Sequence, residues 1–187
     1  MHRYGSEVLH FITGLGDQAV VLPFVLIVAV TLAAAGARRE ALYWCIAIFA
    51  ALSTTLAAKL IFLPCGHLFP QLELRSPSGH AAAAIAAYGG FAVLWAKLAT
   101  GRLRLVLVSA AILGGLGIAM SRVLIGVHTV PEVVFGCFIG SIAPGILSLL
   151  ERRETVATPK PSLLLLLVPP VLVALLHGTS LPIEQRI

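Results

Sequence analysis

Two short segments of the sequence combine polar and ionisable residues in patterns that suit phosphate chemistry. The first is PSGH at residues 77–80, which follows Ser76. Serine followed by proline is a helix-start pattern, so Ser76 and Pro77 predict the beginning of a helix. The N-terminus of a helix attracts anions, and Gly79 would let a phosphate approach the backbone closely. The same residues also suit a plain helix cap, and this segment alone leaves both interpretations open.

The second segment, SRVLIGVHTVPE, covers residues 121–132 and contains Arg122, His128 and Glu132. Glu132 follows His128 by four residues, so in helical geometry its carboxylate can reach the imidazole. A carboxylate bonded to Nδ1 fixes the tautomer and leaves Nε2 available as a nucleophile. The alternative interpretation is a structural ion pair between Arg122 and Glu132 that connects two helix ends.

The elements that position these segments follow from composition. The 187 residues are 59% hydrophobic and 11% charged, with a mean hydropathy of +1.00, which indicates that the bilayer is the solvent. Crossing about 30 Å of hydrocarbon takes roughly 20 apolar residues. Six runs near or above that length predict transmembrane helices at 18–36, 40–58, 79–98, 104–121, 130–150 and 162–178.

Residues 3–15 are too short to span the bilayer, but their apolar residues can line one side of a helix lying in the interface. We favour this helix over the alternative, a disordered segment. We therefore expect an all-α fold: a polytopic membrane bundle of about six transmembrane helices with a short N-terminal interfacial helix. The expected domain organisation is a single membrane-embedded domain over residues 1–187.

The positive charges predict the orientation of this bundle. Three loops carry most of the basic residues, which by the positive-inside rule places these loops in the cytoplasm: Arg38, Arg39, Lys97, Arg102, Arg104, Arg152, Arg153 and Lys160. Lys59, Arg75 and Arg122 then lie on the opposite side, which is the periplasm in a bacterial inner membrane. Because the basic residues lie at helix ends and form no continuous patch, we expect no nucleic-acid partner.

Small and sulfur-containing residues add two further expectations. Cys45 and Cys137 fall in predicted spans and Cys65 in an outer loop, without metal-ligand spacing, so we expect neither a disulfide nor a metal site. Glycines in the third, fourth and fifth spans predict close helix packing, although glycine is also simply frequent in membrane helices. These glycines are Gly89, Gly90, Gly114, Gly115, Gly117, Gly136 and Gly140.

Together, the two segments resemble the type 2 phosphatidic acid phosphatase (PAP2) superfamily. Its three-part signature is a lysine-containing segment, then PSGH, then SR with a histidine and an acidic residue. Residues 77–80 match the second part in full, Ser121, Arg122 and His128 match the third, and Lys59 lies where the first part begins. The resemblance covers about residues 55–140.

The sequence departs from the family pattern at two points. The family normally has aspartate where this chain has Glu132, a change that keeps the carboxylate. The first part normally continues with arginine and proline about seven residues after the lysine, where this chain has Gly66 and His67. Arg75 and His67 are the candidates to replace the missing arginine.

The resemblance implies a role for each matching residue. His128 would attack phosphorus, Glu132 would orient it, and His80 would protonate the leaving oxygen and later help to activate water. The predicted substrate-binding residues are Lys59, Ser78, Gly79, Ser121, Arg122 and Arg75. The expected chemistry uses neither a metal nor another cofactor.

The resulting hypothesis is an integral membrane phosphatase that acts on a lipid phosphate or diphosphate through a phosphohistidine. Candidate substrates are undecaprenyl diphosphate, phosphatidylglycerol phosphate, phosphatidic acid and lipid A phosphates, with a slight preference for the first. The expected location is the bacterial inner membrane, with the site facing the periplasm. Two alternatives remain: a lipid phosphotransferase that uses the same phosphohistidine, and a non-catalytic membrane protein that binds anionic lipid.

Overall fold

The computed structural model describes residues 2–65 and 74–152. Within them the chain forms eight α-helices and one π-helical turn. They are α1 (His2–Gly14), α2 (Gln18–Ala34), α3 (Arg38–Cys65), α4 (Gly79–Ala84), the π-helical turn Ile85–Gly89, α5 (Gly90–Leu98), α6 (Gly101–Leu124), α7 (Val130–Gly140) and α8 (Ile142–Arg152). The predicted all-α fold class is confirmed over these residues.

Most of the predicted spans coincide with observed helices. In the described part of the chain, four helical segments are long and apolar enough to cross a membrane: Arg38–Phe62, Gly79–Lys97, Gly101–Leu124 and Val130–Leu150. The first predicted span, 18–36, falls on α2, which reaches that length only together with Val8–Gly14 across a bend of 44°. The sixth, 162–178, lies outside the described residues. The predicted N-terminal helix over 3–15 is present as α1.

α3 extends further than the sequence analysis predicted. The predicted span ends at residue 58, yet the apolar residues after Lys59 continue the helix to Cys65. Pro64 lies in the last turn, where a proline interrupts only the end of the hydrogen-bond ladder. Lys59 therefore lies inside α3 and not in the loop that follows it.

The continuous helical run Gly79–Leu98, formed by α4, the π-helical turn and α5, is the centre of the bundle. Its membrane-length part is the most buried of the four described above, and it contacts α3, α6, α7 and α8. An ideal Cβ on Gly136 would lie 2.5 Å from the Ser78 carbonyl oxygen, and one on Gly140 would lie 2.5 Å from that of Ala82. The predicted close approach at this glycine pair is confirmed.

The three glycines of α6 differ in what they face. An added Cβ at Gly115 would lie 2.8 Å from Ile85 Cδ1, whereas at Gly114 and Gly117 it would meet nothing within 4 Å. Consecutive positions on a helix point about 100° apart, so only one of these neighbours can face the π-helical turn. The predicted close packing is therefore wrong for Gly114 and Gly117.

A second layer of the bundle is built on aromatic packing between α2 and α3. Trp44 of α3 is fully buried, and its ring lies 6.4 Å from that of Phe24 in an edge-to-face arrangement. The Trp44 indole N–H donates to the Val25 carbonyl oxygen at 2.9 Å. This contact joins α2 to α3.

Candidate active site

His128 and Glu132 are in direct contact. His128 Nδ1 lies 2.7 Å from Glu132 Oε2, as the spacing predicted. The path differs from the helical one, because α7 begins only at Val130 and Thr129 is its extended N-cap, with φ −79° and ψ 162°. His128 therefore precedes the helix, and Glu132 reaches it from the first turn.

Thr129 and Glu132 form a capping box that fixes this geometry. The Thr129 hydroxyl accepts a hydrogen bond from the Glu132 backbone N–H at 3.5 Å, and the Thr129 N–H donates to Glu132 Oε2 at 3.2 Å. Thr129 was not among the predicted site residues. The signal was present, since threonine three residues before glutamate at a helix start is the capping-box pattern.

The Glu132 carboxylate also holds the segment that precedes α4. Its Oε1 accepts hydrogen bonds from the backbone N–H groups of Arg75 at 2.9 Å and Ser76 at 3.1 Å. The Glu132 backbone carbonyl accepts from the Ser78 N–H at 3.0 Å. Glu132 is buried, and these donors offset the cost of removing a carboxylate from water. One residue thus connects the PSGH segment to His128.

Ser78 is the N-cap of α4. It is extended, with φ −66° and ψ 111°, and its hydroxyl accepts from the Ala81 N–H at 3.4 Å. The predicted helix start at Ser76 and Pro77 is therefore two residues too early. The N–H groups of Ser76 and Ser78 bind Glu132, and the chain bends at Arg75 and Ser76 before the helix begins. Gly79 and His80 lie in its first turn.

Lys59 reaches this helix start from α3. An ideal Cβ placed on Gly79 would lie 3.1 Å from Lys59 Nζ and 3.2 Å from its Cε. The missing side chain at Gly79 leaves room for the lysine amine beside the first turn of α4. The first and second signature segments therefore meet here.

Arg122 lies in the last turn of α6, next to the loop that carries His128. Its backbone carbonyl accepts from the His128 N–H at 3.3 Å, and the loop turns at Gly126 with φ +78°. Its side-chain Nη1 donates to the Thr13 hydroxyl oxygen at 3.1 Å. Sequence reasoning missed Thr13, because nothing in the local pattern connects two residues 109 positions apart.

Four further predicted residues remain: Ser121, His80, Arg75 and His67. Ser121 is buried, and its hydroxyl donates to the Ile118 carbonyl of its own helix at 2.6 Å. His80 is buried as well. The Arg75 side chain is exposed, and His67 lies outside the described residues. The substrate-binding roles of Ser121 and Arg75 remain predictions.

Within residues 2–65 and 74–152, no group of three or more His, Cys, Asp or Glu side chains could hold a metal ion. Cys45 and Cys137 are free thiols. Cys65 is the last residue of α3, not part of the loop in which it was predicted.

All three signature segments therefore meet through a series of direct contacts. Lys59 lies beside Gly79, Ser78 is bonded to Glu132, Glu132 is bonded to His128, and the His128 backbone is bonded to that of Arg122. The arrangement combines an oriented imidazole, two basic residues and a helix N-terminus. Phosphoryl transfer requires such a nucleophile and such charge stabilisation.

No curated protein and no solved structure matches the chain. The family model described as PAP2 superfamily matches residues 59–155, just over half of the 187 residues, beginning at Lys59 and including both later segments. The chain thus belongs to the PAP2 superfamily, and its activity is of the phosphatase type.

Proposed function

We propose that this protein is an integral membrane phosphatase that hydrolyses a lipid phosphate or diphosphate through a phosphohistidine at His128. The observation that carries the proposal is the 2.7 Å contact between His128 Nδ1 and Glu132 Oε2. With Nδ1 bonded to the carboxylate, Nε2 holds the lone pair that a nucleophile needs. The family membership supports phosphatase chemistry at this residue.

In the first step, the Nε2 lone pair of His128 attacks phosphorus as the bond between phosphorus and the leaving oxygen breaks. His80, in its protonated form, gives a proton to that oxygen, so the alcohol or lipid monophosphate leaves without building up charge. Glu132 stabilises the positive charge that forms on the His128 ring, because its carboxylate is already in place.

In the second step, a water molecule attacks the phosphohistidine. The now neutral His80 takes a proton from this water as its oxygen bonds to phosphorus, and the bond between phosphorus and Nε2 breaks. Inorganic phosphate leaves, and both histidines return to their starting protonation states. The same residue therefore serves as acid and then as base.

Charge on the transferred phosphoryl group is neutralised by residues of the chain. We assign its equatorial oxygens to Lys59, Arg122, the Ser78 hydroxyl and the Gly79 backbone N–H. The position of Lys59 Nζ beside Gly79 supports two of these assignments. Because these groups supply positive charge in fixed positions, we propose that hydrolysis proceeds without a metal ion.

The distribution of charge supports an active site that faces the periplasm of a bacterial inner membrane. Arg38 begins α3, and Lys59 lies about 30 Å further along it at 1.5 Å per residue. Gly101 begins α6, and Arg122 lies a similar distance along that helix. The basic loops and the candidate site thus lie at opposite ends of helices that match the hydrocarbon thickness.

The proposed substrate class follows from this placement. A site at the end of membrane-spanning helices can receive a head group while the lipid tail stays in the bilayer. Undecaprenyl diphosphate is our first choice, on family analogy. Phosphatidylglycerol phosphate, phosphatidic acid and lipid A phosphates are the other candidates.

The experiment that tests this proposal measures phosphate release by the purified protein in detergent, with EDTA present, across these four lipids. We expect metal-independent release that His128→Ala abolishes, and the best substrate identifies the lipid. Transfer of labelled phosphate to a second lipid, with little free phosphate, would replace hydrolysis by the phosphotransferase alternative. Absence of both reactions with every lipid would contradict the proposal.

A further inference from the structure

An apolar groove of about 480 Å³ lies between the N-terminal helices, the central run and α6. Its volume falls within the roughly 300–1,000 Å³ typical of small-molecule sites. Side chains from α1, α2, α5 and α6 line it, among them Ile12, Phe24, Phe91, Leu107 and Ile118.

One face of α6 forms the long wall of this groove. Leu107, Gly114 and Ile118 lie on that face at helical spacing. The wall from Leu107 to Ile118 is about 16 Å long at 1.5 Å per residue, which is roughly half of the hydrocarbon thickness. Gly114 and Gly117 also line the groove, and a side chain added at either would meet open space. The groove thus has the length of one membrane leaflet and an unobstructed wall.

The end of the groove at Ile118 adjoins the proposed phosphate site. Arg122 follows Ile118 by four residues, so both lie on the same face of α6. Ile12 and Leu15 line the groove on either side of Thr13, whose hydroxyl binds Arg122 Nη1. The Leu15 carbonyl accepts from the Tyr88 hydroxyl at 2.7 Å, which fixes the end of the N-terminal helix against the central run.

We propose that this groove binds the hydrocarbon tail of the lipid whose phosphate reacts at His128. The inference rests on the proposed function, and it adds a place for the tail between α1, α2 and α6. A phosphate bound by Arg122 leaves its tail at the mouth of an apolar channel that descends one leaflet. The length of the wall and its direct continuation into Arg122 favour this occupant.

The test uses the open space beside Gly117. Gly117→Leu adds a side chain into the groove without a clash and replaces glycine by a stronger helix former. Gly145→Leu is the matched control, because Gly145 of α8 is exposed, also meets nothing within 4 Å, and does not line the groove. The measured quantity is kcat/KM for a long-chain lipid phosphate divided by kcat/KM for a water-soluble short-chain phosphate with the same head group.

We expect Gly117→Leu to lower this ratio about tenfold, the effect of roughly two methylene groups losing their contacts, while Gly145→Leu leaves it unchanged. A ratio unchanged in Gly117→Leu would overturn the tail site. The proposed function would still stand in that case, provided that the wild type hydrolyses both substrates and His128→Ala hydrolyses neither.

A binding measurement tests the groove without relying on hydrolysis. The probe is a lipid diphosphate with a photoreactive diazirine in its tail, and peptide mapping locates the label. We expect labelling of residues 107–118 that Gly117→Leu removes and that the unphosphorylated lipid competes for only weakly. Label found elsewhere would overturn the proposal. The occupant of the groove would then be another one, such as residues 162–178 or a second copy of the chain. Equal competition by the unphosphorylated lipid would also overturn it, because the groove would then bind bulk lipid.

Discussion

His128 and Glu132 lie 2.7 Å apart through Nδ1 and Oε2, while the other oxygen of the same carboxylate binds two backbone N–H groups of the segment that leads into α4. Glu132 therefore positions the proposed nucleophile and the proposed phosphate-binding turn together. Loss of its charge should disturb both.

Glu132→Gln tests this double role. The amide has a single oxygen acceptor in place of two, so either His128 or the Arg75 and Ser76 N–H groups face an NH₂ donor. We expect kcat to fall about 10²–10⁴-fold and the free energy of unfolding to fall by about 1–3 kcal/mol. Steady-state phosphate release and thermal unfolding in detergent measure these two effects.

Glu132→Asp is the matched control for that substitution. It keeps the carboxylate and introduces the residue that the family normally has at this position, so we expect activity much closer to that of the wild type. If Glu132→Gln retained activity within a few-fold, the orienting role of the carboxylate would be wrong.

Thr13→Val tests whether the N-terminal helix positions Arg122. The substitution keeps the shape of the side chain but removes the oxygen that accepts from Arg122 Nη1. A hydrogen bond to a charged group contributes about 1.5–3 kcal/mol, so we expect kcat/KM to fall at least about tenfold. Thr54→Val is the control, since Thr54 is exposed and its hydroxyl donates to the Ala50 carbonyl of its own helix. Equal effects of the two substitutions would argue against a specific role for Thr13.

Lys59→Met tests the ammonium group beside Gly79. It keeps the length of the side chain and removes the charge. We expect kcat/KM to fall about 10²–10³-fold, which is the usual effect of removing one donor that stabilises a developing oxyanion. Inhibition by inorganic phosphate should weaken as well. Lys97→Met, in the last turn of α5, is the control for loss of a lysine charge. Unaltered phosphate inhibition in Lys59→Met would show that this lysine does not bind the phosphoryl group.

Gly136→Ala tests the contact between α7 and the start of α4. The new methyl group would lie 2.5 Å from the Ser78 carbonyl oxygen, so the two helices must separate. Overpacking of this kind costs about 1–3 kcal/mol, and we expect a lower melting temperature together with lower activity. Gly145→Ala adds the same methyl group where nothing lies within 4 Å, and its melting temperature should not fall. Equal melting temperatures for the two variants would contradict the close packing.

The sequence predicts the helices, and some contacts of the candidate site, where the signal is local. Apolar runs of membrane length locate the helices, and the four-residue spacing locates the contact between Glu132 and His128. The spacing of Gly136 and Gly140 predicts close helix packing, because small residues four positions apart allow two helix backbones to approach each other closely.

The remaining features depend on tertiary contacts. The start of α4 is set by the bonds from Ser76 and Ser78 to Glu132, a residue more than fifty positions away. The contact between Thr13 and Arg122 joins the first helix to α6. Composition alone also cannot distinguish Gly115, which faces a neighbouring helix, from Gly117, which lines a groove.

The most direct test of the account is detection of the phosphoenzyme. The protein is mixed with a lipid diphosphate labelled in its terminal phosphate, quenched in alkali, which preserves phosphohistidine, and mapped by mass spectrometry. We predict one labelled peptide phosphorylated at His128, with the label lost in His128→Ala. Rapid hydrolysis by the wild type with no label at His128, or label that persists in His128→Ala, would contradict the central claim.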